Sequence, residues 1–354
     1  VRLRDLGLHP GHHRTGPLNA LTDVPGVRVG HTTLIAGEGP LQVGHGPVRT
    51  GVTAIHPHEG SVFRARCPAA IGVLNGSGEI TGRSQVDEHG LLETPIVLTN
   101  TLSVGVAHRA VVDWIVRTEG LADDFVIPVV AETYDGFLHD IAGQHVRAEH
   151  VTAALDGASG GPVAEGNVGG GTGMALFQLK GGIGTSSRAL DLGGATYTVG
   201  VLVQGNFGRR HHLQVMGRPV GRLHPELMPE RPPAKDGSII VVIGTDLPLS
   251  DRQLARLTRR GMLGVARTGG VAGHSSGDLF LAFSNAPALR VPRGPGAPWF
   301  TGGPVLHDAH IDAVFEATVE ATEEAILNAM VAAQTMTGRD GHTLHALPHA
   351  WLTD

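Results

Sequence analysis

Short apolar runs rich in β-branched residues recur along the chain, at 26–35, 69–74, 94–100, 124–131, 196–204, 238–244 and 278–284. Each has strand length and is bounded by Gly, Asn or Asp. Many lack polar alternation, which predicts sheets covered on both faces. A helical period appears in three other places. Over 103–120 it sets Val104, Ala107, Val111, Trp114 and Ile115 on one side, and Gly120 closes the segment. Over 249–268 a Ser250 or Asp251 cap precedes Leu254 and Leu257. Over 308–338 the period carries Ile311, Val314, Phe315, Ile326, Leu327, Met330 and Val331. That last helix is rich in alanine, which suits close packing on a sheet. Strands and helices do not alternate strictly, so the pattern predicts a layered α+β protein with sheets inside and helices outside. The proline-bearing, charged stretch 229–237 is the best candidate for a linker.

Composition narrows the picture. The chain has 354 residues, enough for one large domain or two smaller ones. Glycine, at 52 residues, is about twice its usual share, which suits tight layers and backbone-rich loops. Net charge is −6, and Lys180 and Lys235 are the only lysines. No basic run offers a nucleic-acid footprint. Cys67 is the single cysteine, so no intrachain disulfide forms and the residue reads as a small buried hydrophobe. The first residues lack an apolar core of signal-peptide length, and no apolar run is long enough to span a bilayer. A cytoplasmic protein without membrane or nucleic-acid partners is expected.

Several familiar motifs fail. No Walker A loop surrounds Lys180 or Lys235, and the glycine-rich 166–177 does not fit a dinucleotide loop. Two G-x-S-x-G matches, at Ser159 and Ser275, lack the strand-then-helix context of a hydrolase elbow. The 21 histidines follow no zincin spacing, and the carboxylates of a metal site are not grouped with them in sequence. They read as solvated or structural.

The step Gly237-Ser238, where a polar loop meets the run 238–244, is different. It is an ordinary turn or a point of self-cleavage. Breaking that bond would give Ser238 a hydroxyl and a free α-amine, whose pKa of about 7.7–8.0 suits a general base. Glycine at 237 permits a loop conformation that presents its carbonyl to the hydroxyl. Glu132 and Tyr134 follow one predicted strand, Asn206 follows another, and Ser276 and Asp278 open a third, as Ser238 opens its own. In an antiparallel sheet, starts and ends of neighbouring strands meet at one edge. Asn206 there is a candidate oxyanion donor.

These residues carry a resemblance. Stretches including "LNALTDVPGVRVGHTTLI", "GVLNGSGEITG", "ETYDGFLHDI", "EGNVGGGTGM", "VGVLVQGNFG", "DGSIIVVIGTDLPLS" and "SSGDLFLAFS" resemble, in order, the DmpA-like L-aminopeptidase/D-esterases and the related β-aminopeptidases. The resemblance implies a four-layered α-β-β-α sandwich like that of the N-terminal nucleophile hydrolases. It implies one folded domain, 1–354, cut between Gly237 and Ser238 into an α chain of 1–237 and a β chain of 238–354. Ser238 matches the family's nucleophile, Asn206 its oxyanion-stabilising asparagine and Tyr134 a tyrosine near the reacting centre. Glu132 matches a carboxylate that holds the substrate ammonium. Ser276 and Asp278 match a serine–carboxylate pair that helps move protons, although family members often carry glutamate at the second position. Members work without metal or organic cofactor and assemble as homo-oligomers of αβ pairs. The activity implied is a serine aminopeptidase that releases N-terminal residues from small peptides, amides or esters. The alternatives are an acyltransferase of the ornithine acetyltransferase type, where the nucleophile is normally threonine, and a non-catalytic binding protein of the same fold.

Overall fold

The computed structural model describes residues 1–230, 237–294 and 296–353. Its longer strands, in chain order, are β1 (Arg28–Ala36), β2 (Val48–His56), β3 (Ala65–Gly76), β4 (Ile96–Asn100), β5 (Val129–Thr133), β6 (Gly182–Leu192), β7 (Ala195–Phe207), β8 (Gly237–Thr245) and β9 (Gly277–Ser284). The longer helices are α1 (Val104–Glu119), α2 (Ala148–Asp156), α3 (Asp251–Arg267) and α4 (Asp312–Val331). One sheet has the order β1-β2-β4-β5. The other runs β3-β9-β8-β7-β6, with short strands Leu91–Leu92 and Val291–Pro292 also paired to β3.

Three apolar clusters define four layers. Val52, Ala54, Val97 and Val130 pack against Ala107, Val111 and Ile115 of α1 and Val151 and Leu155 of α2. Ile55, Ile96, Leu98 and Ala131 of the first sheet meet Leu202, Ile240, Val242 and Leu281 of the second. Val201, Val203, Ile239, Val241 and Phe280, on the second sheet's other face, pack under Leu254 and Leu257 of α3 and Ile326 and Met330 of α4. The order is helix, sheet, sheet, helix, as the resemblance implies.

Most predicted elements are present, with changes that have physical causes. Strands β2 and β6 went unpredicted because buried polar residues interrupt their apolar pattern. Arg188 in β6 is fully buried against Glu320 and Glu324 at 3.0 and 2.8 Å. Thr50 in β2 accepts from the Asn100 amide at 2.8 Å. The run 124–131 yields a strand only from Val129, beyond Pro128. The long helix stops at Val331 rather than near Gly338. Helix α2 was not among the three periodic segments. In the linker candidate, residues 231–236 lie outside the described residues, and Gly237 already opens β8.

Cys67 is fully buried, and burial pushes its thiol up to about 12. His56 is structural: it donates to the Leu155 carbonyl at 3.0 Å, and burial pushes it down to about 4. Among the described residues, no helix is long and apolar enough to cross a membrane.

Candidate active site

Ser238 is the second residue of β8, and Asn206 the last but one of β7. The strands pair antiparallel with Asn206 opposite Ser238. Side chains alternate along a strand. Ile240 and Val242 face the first sheet, as does Leu202, so Ser238 and Asn206 share that face. β4 and β5 pair parallel, setting Glu132 opposite Thr99 near the end of the facing sheet. The result is a cavity of about 570 Å³ between the two sheets' edges, lined by Gly237, Ser238, Asn206, Glu132 and Tyr134.

Each group is held in a definite way. The Asn206 amide donates from Nδ2 to the Tyr134 carbonyl at 2.9 Å, and its Oδ1 accepts from the Ala175 N–H at 2.8 Å. One Nδ2 hydrogen remains for another acceptor. Glu132 is buried; its Oε1 accepts from the Glu79 N–H at 3.0 Å and its Oε2 from the Thr101 hydroxyl. The Ser238 hydroxyl is buried and meets no hydrogen-bond partner among the described residues. Gly237 has φ +101°, and a Cβ there would fall 1.9 Å from the Asn206 carbonyl oxygen. Only glycine fits this position without displacing β7.

Ser276 and Asp278 are placed differently from the expectation of a single antiparallel edge. β8 and β9 run parallel, so their starts do share an edge, with Ser238 beside Gly277. Asp278 is opposite Ile239, however, and Ile239 faces the helices. The pair therefore lies on the far face of the sheet from the Ser238 hydroxyl. It lines a pocket of about 30 Å³ with Phe207 and Val265. Ser276 Oγ donates to Asp278 Oδ1 at 2.7 Å, Oδ2 has no partner among the described residues, and burial pushes the carboxyl up to about 6. The β3–β9 register shifts just there, between Asp278 and Leu279, as bulges beside functional sites often do.

Sequence reasoning missed several residues here. Lys180 is fully buried and donates to the carbonyls of Gly171, Met174 and Gly181 at 3.3, 2.9 and 2.7 Å. Burial pushes it down to about 7, against the pull of Asp135. Three acceptors match an ammonium's three N–H groups, one more than a neutral amine has. Asp135, next to Tyr134, is fully buried and is pushed up by burial to about 8. The scarcity of lysine is the sequence signal that singles out Lys180, although no phosphate loop surrounds it. Ser275, rejected as an elbow serine, lines the cavity, as do Thr101 and Arg339. His12 and His13 do have a carboxylate neighbour, Glu320, with ligand-type atoms within 4.8 Å. It stands 308 positions from His12 in sequence, and Arg188 already engages it at 3.0 Å.

The sequence profile of peptidase family S58 matches residues 19–344. The chain belongs to peptidase family S58. It is 46% identical to a β-peptidyl aminopeptidase, BapA, of Sphingosinicella microcystinivorans, covering 99% of this chain and 90% of the relative. Among solved structures it is similar to a β-aminopeptidase of a Burkholderia species, at 46% identity and a TM-score of 0.91, over 99% of this chain and 97% of that one. It is also similar to the L-aminopeptidase D-Ala-esterase/amidase of Ochrobactrum anthropi, at 44% identity and a TM-score of 0.92, over 99% and 96%. That structure is described as a prototype for the serine aminopeptidases and a variant of the Ntn hydrolase fold. This S58 chain is accordingly an N-terminal serine aminopeptidase, a hydrolase of peptide bonds.

Proposed function

We propose that the chain cuts itself between Gly237 and Ser238, and that Ser238 of the resulting 238–354 chain is the nucleophile of the aminopeptidase. The observation that carries this reading is the Asn206–Ser238 register, which sets a buried hydroxyl beside a fixed amide donor in one cavity with Glu132. In processing, Ser238 Oγ adds to the Gly237 carbonyl, the amide nitrogen leaves as an amine, and water hydrolyses the ester. In turnover, Glu132 holds the substrate's ammonium and Ser238 Oγ attacks the neighbouring carbonyl. The α-amine of Ser238 takes the hydroxyl proton and passes it to the leaving amine. The spare Nδ2 hydrogen of Asn206 meets the developing oxyanion, a contact worth about 3–4 kcal/mol of barrier in comparable sites. Tyr134 lines the cavity next to that amide. Ser276 and Asp278, behind the sheet edge, act on the amine and not on the hydroxyl. Water or a second amine then releases the acyl group.

Small peptides, amides and esters are the proposed substrates. The named relatives make peptides with an N-terminal β-amino acid the first class to test. Assembly of αβ pairs into a homo-oligomer is supported by Trp299 and Phe300, 97% and 93% exposed, as aromatic side chains suited to a partner surface. The deciding experiment is a denaturing mass measurement alongside p-nitroanilide turnover. Wild-type protein should give two polypeptides, 1–237 and 238–354, and should be active. Ser238→Ala should give one polypeptide and no turnover. Cleavage in that variant, or full activity from an uncut wild-type chain, would refute the assignment.

A further inference from the structure

We propose that Arg339 forms a subsite for the C-terminal carboxylate of the substrate, so that the preferred substrates are unblocked di- and tripeptides. The inference rests on the reading above, in which Glu132 takes the ammonium. Arg339 lines the same cavity and stands on the tip joining the two short strands Met336–Thr337 and Thr343–Leu344. That tip is fastened to the segment carrying Tyr134. The Arg339 N–H donates to the Leu138 carbonyl at 2.9 Å. His342 stacks on Phe137 at 4.7 Å between ring centroids and donates to its carbonyl. Gly338 approaches so closely that a Cβ would lie 2.0 Å from the Leu138 oxygen.

The guanidinium is aimed and only partly used. Its Nε donates to the Gly136 carbonyl at 2.8 Å, and Nη1 meets Asp340 Oδ2 at 3.3 Å. Asp340 is itself held, its Oδ1 accepting from the Leu41 N–H at 2.9 Å. Nη2 meets no acceptor among the described residues, and the side chain is three-quarters buried. A planar donor fixed by two bonds, with its remaining N–H groups facing a cavity, suits a carboxylate. Length agrees: two or three extended residues span roughly 7–11 Å, the scale of a cavity of about 570 Å³. Glu132 and Arg339 would hold the two ends of a zwitterion and place its first peptide bond at Ser238.

The test compares one β-alanyl dipeptide as the free acid and as its C-terminal amide, by kcat/KM, on wild type, Arg339→Gln and Arg339→Lys. Wild type should favour the acid by at least about tenfold, chiefly through KM. Arg339→Gln should collapse that ratio towards one, and Arg339→Lys should retain part of it. Equal rates for acid and amide in wild type would overturn the subsite, as would an undiminished preference in Arg339→Gln. Binding of the same pair with the scissile carbonyl reduced to methylene, measured by calorimetry, needs no turnover. It isolates the subsite from the reaction: acid preference without hydrolysis would sink the assigned chemistry and keep the subsite, and hydrolysis without acid preference would do the reverse.

Discussion

Asp278 shows how one carboxyl ties the proposed chemistry to pH. Burial pushes it up to about 6, and the Ser276 hydroxyl pulls the other way. In the proposed turnover Ser276 and Asp278 act on the Ser238 α-amine from the far face of the sheet. Below about pH 6 the Asp278 carboxyl is neutral; above that it is ionised and favours the protonated amine that passes its proton to the leaving group. In fully cut protein, kcat for p-nitroanilide turnover is therefore expected to fall more steeply below about pH 6 than above it, followed across pH 5–8. Asp278→Asn should lower kcat and remove that extra steepness. The same acid limb persisting in the variant would take Asp278 off the proton path.

At the scale of elements, the glycine-rich segment 166–177 and the hairpin after it work as a brace for Asn206. Lys180 donates to the Met174 carbonyl, and the N–H of the same peptide group, at Ala175, donates to Asn206 Oδ1. A cation on the carbonyl polarises that N–H, which tightens the amide's grip and sharpens its free Nδ2 hydrogen. Lys180 is thus a positioning residue for Asn206, the proposed oxyanion donor. Lys180→Met should lower kcat at least about tenfold with KM little changed, staying within the 10²–10³ typical of losing such a donor outright. Steady-state kinetics on material checked for cleavage by mass measure this. A rise in KM with kcat intact would reduce Lys180 to a packing role.

At the scale of the molecule, the proposed cut divides one sheet between two chains, because β8 and β9 follow it while their neighbours β7 and β3 precede it. The β7–β8 and β3–β9 ladders join the pieces, together with the core under α4 and the buried cluster at Arg188. Arg188 binds Glu320 and Glu324, and Glu324 also meets Arg4 at 2.8 Å and the Asn19 amide at 2.6 Å. Arg188, Arg4 and Asn19 fall before the cut, the two glutamates after it. Removing the central cation takes from Glu320 its buried counter-ion and leaves Glu324 with Arg4 as its remaining cation, a loss of about 3–5 kcal/mol in comparable sites. Arg188→Met should lower stability by that order in urea unfolding while p-nitroanilide turnover at low temperature survives. A change below about 1 kcal/mol would show that the carboxylates find other partners.

The run 238–244, the helical periods and the small polar residues at strand ends made the strands, the outer helices and the Gly237-Ser238 step legible from local pattern alone. Apolar periodicity reports which residues a segment buries, and a Gly-Ser step is visible wherever it occurs. Strands β2 and β6 stayed hidden because Thr50 and Arg188 are satisfied by partners distant in sequence, and a buried polar residue looks exposed until its partner is known. Pairing direction and side-chain alternation put Asp278 behind the sheet and Asn206 in front of it, and neither is written in a strand's own composition. Lys180, Asp135 and Arg339 took their places only from packing, because burial and the carbonyls around a cation are set by the whole fold.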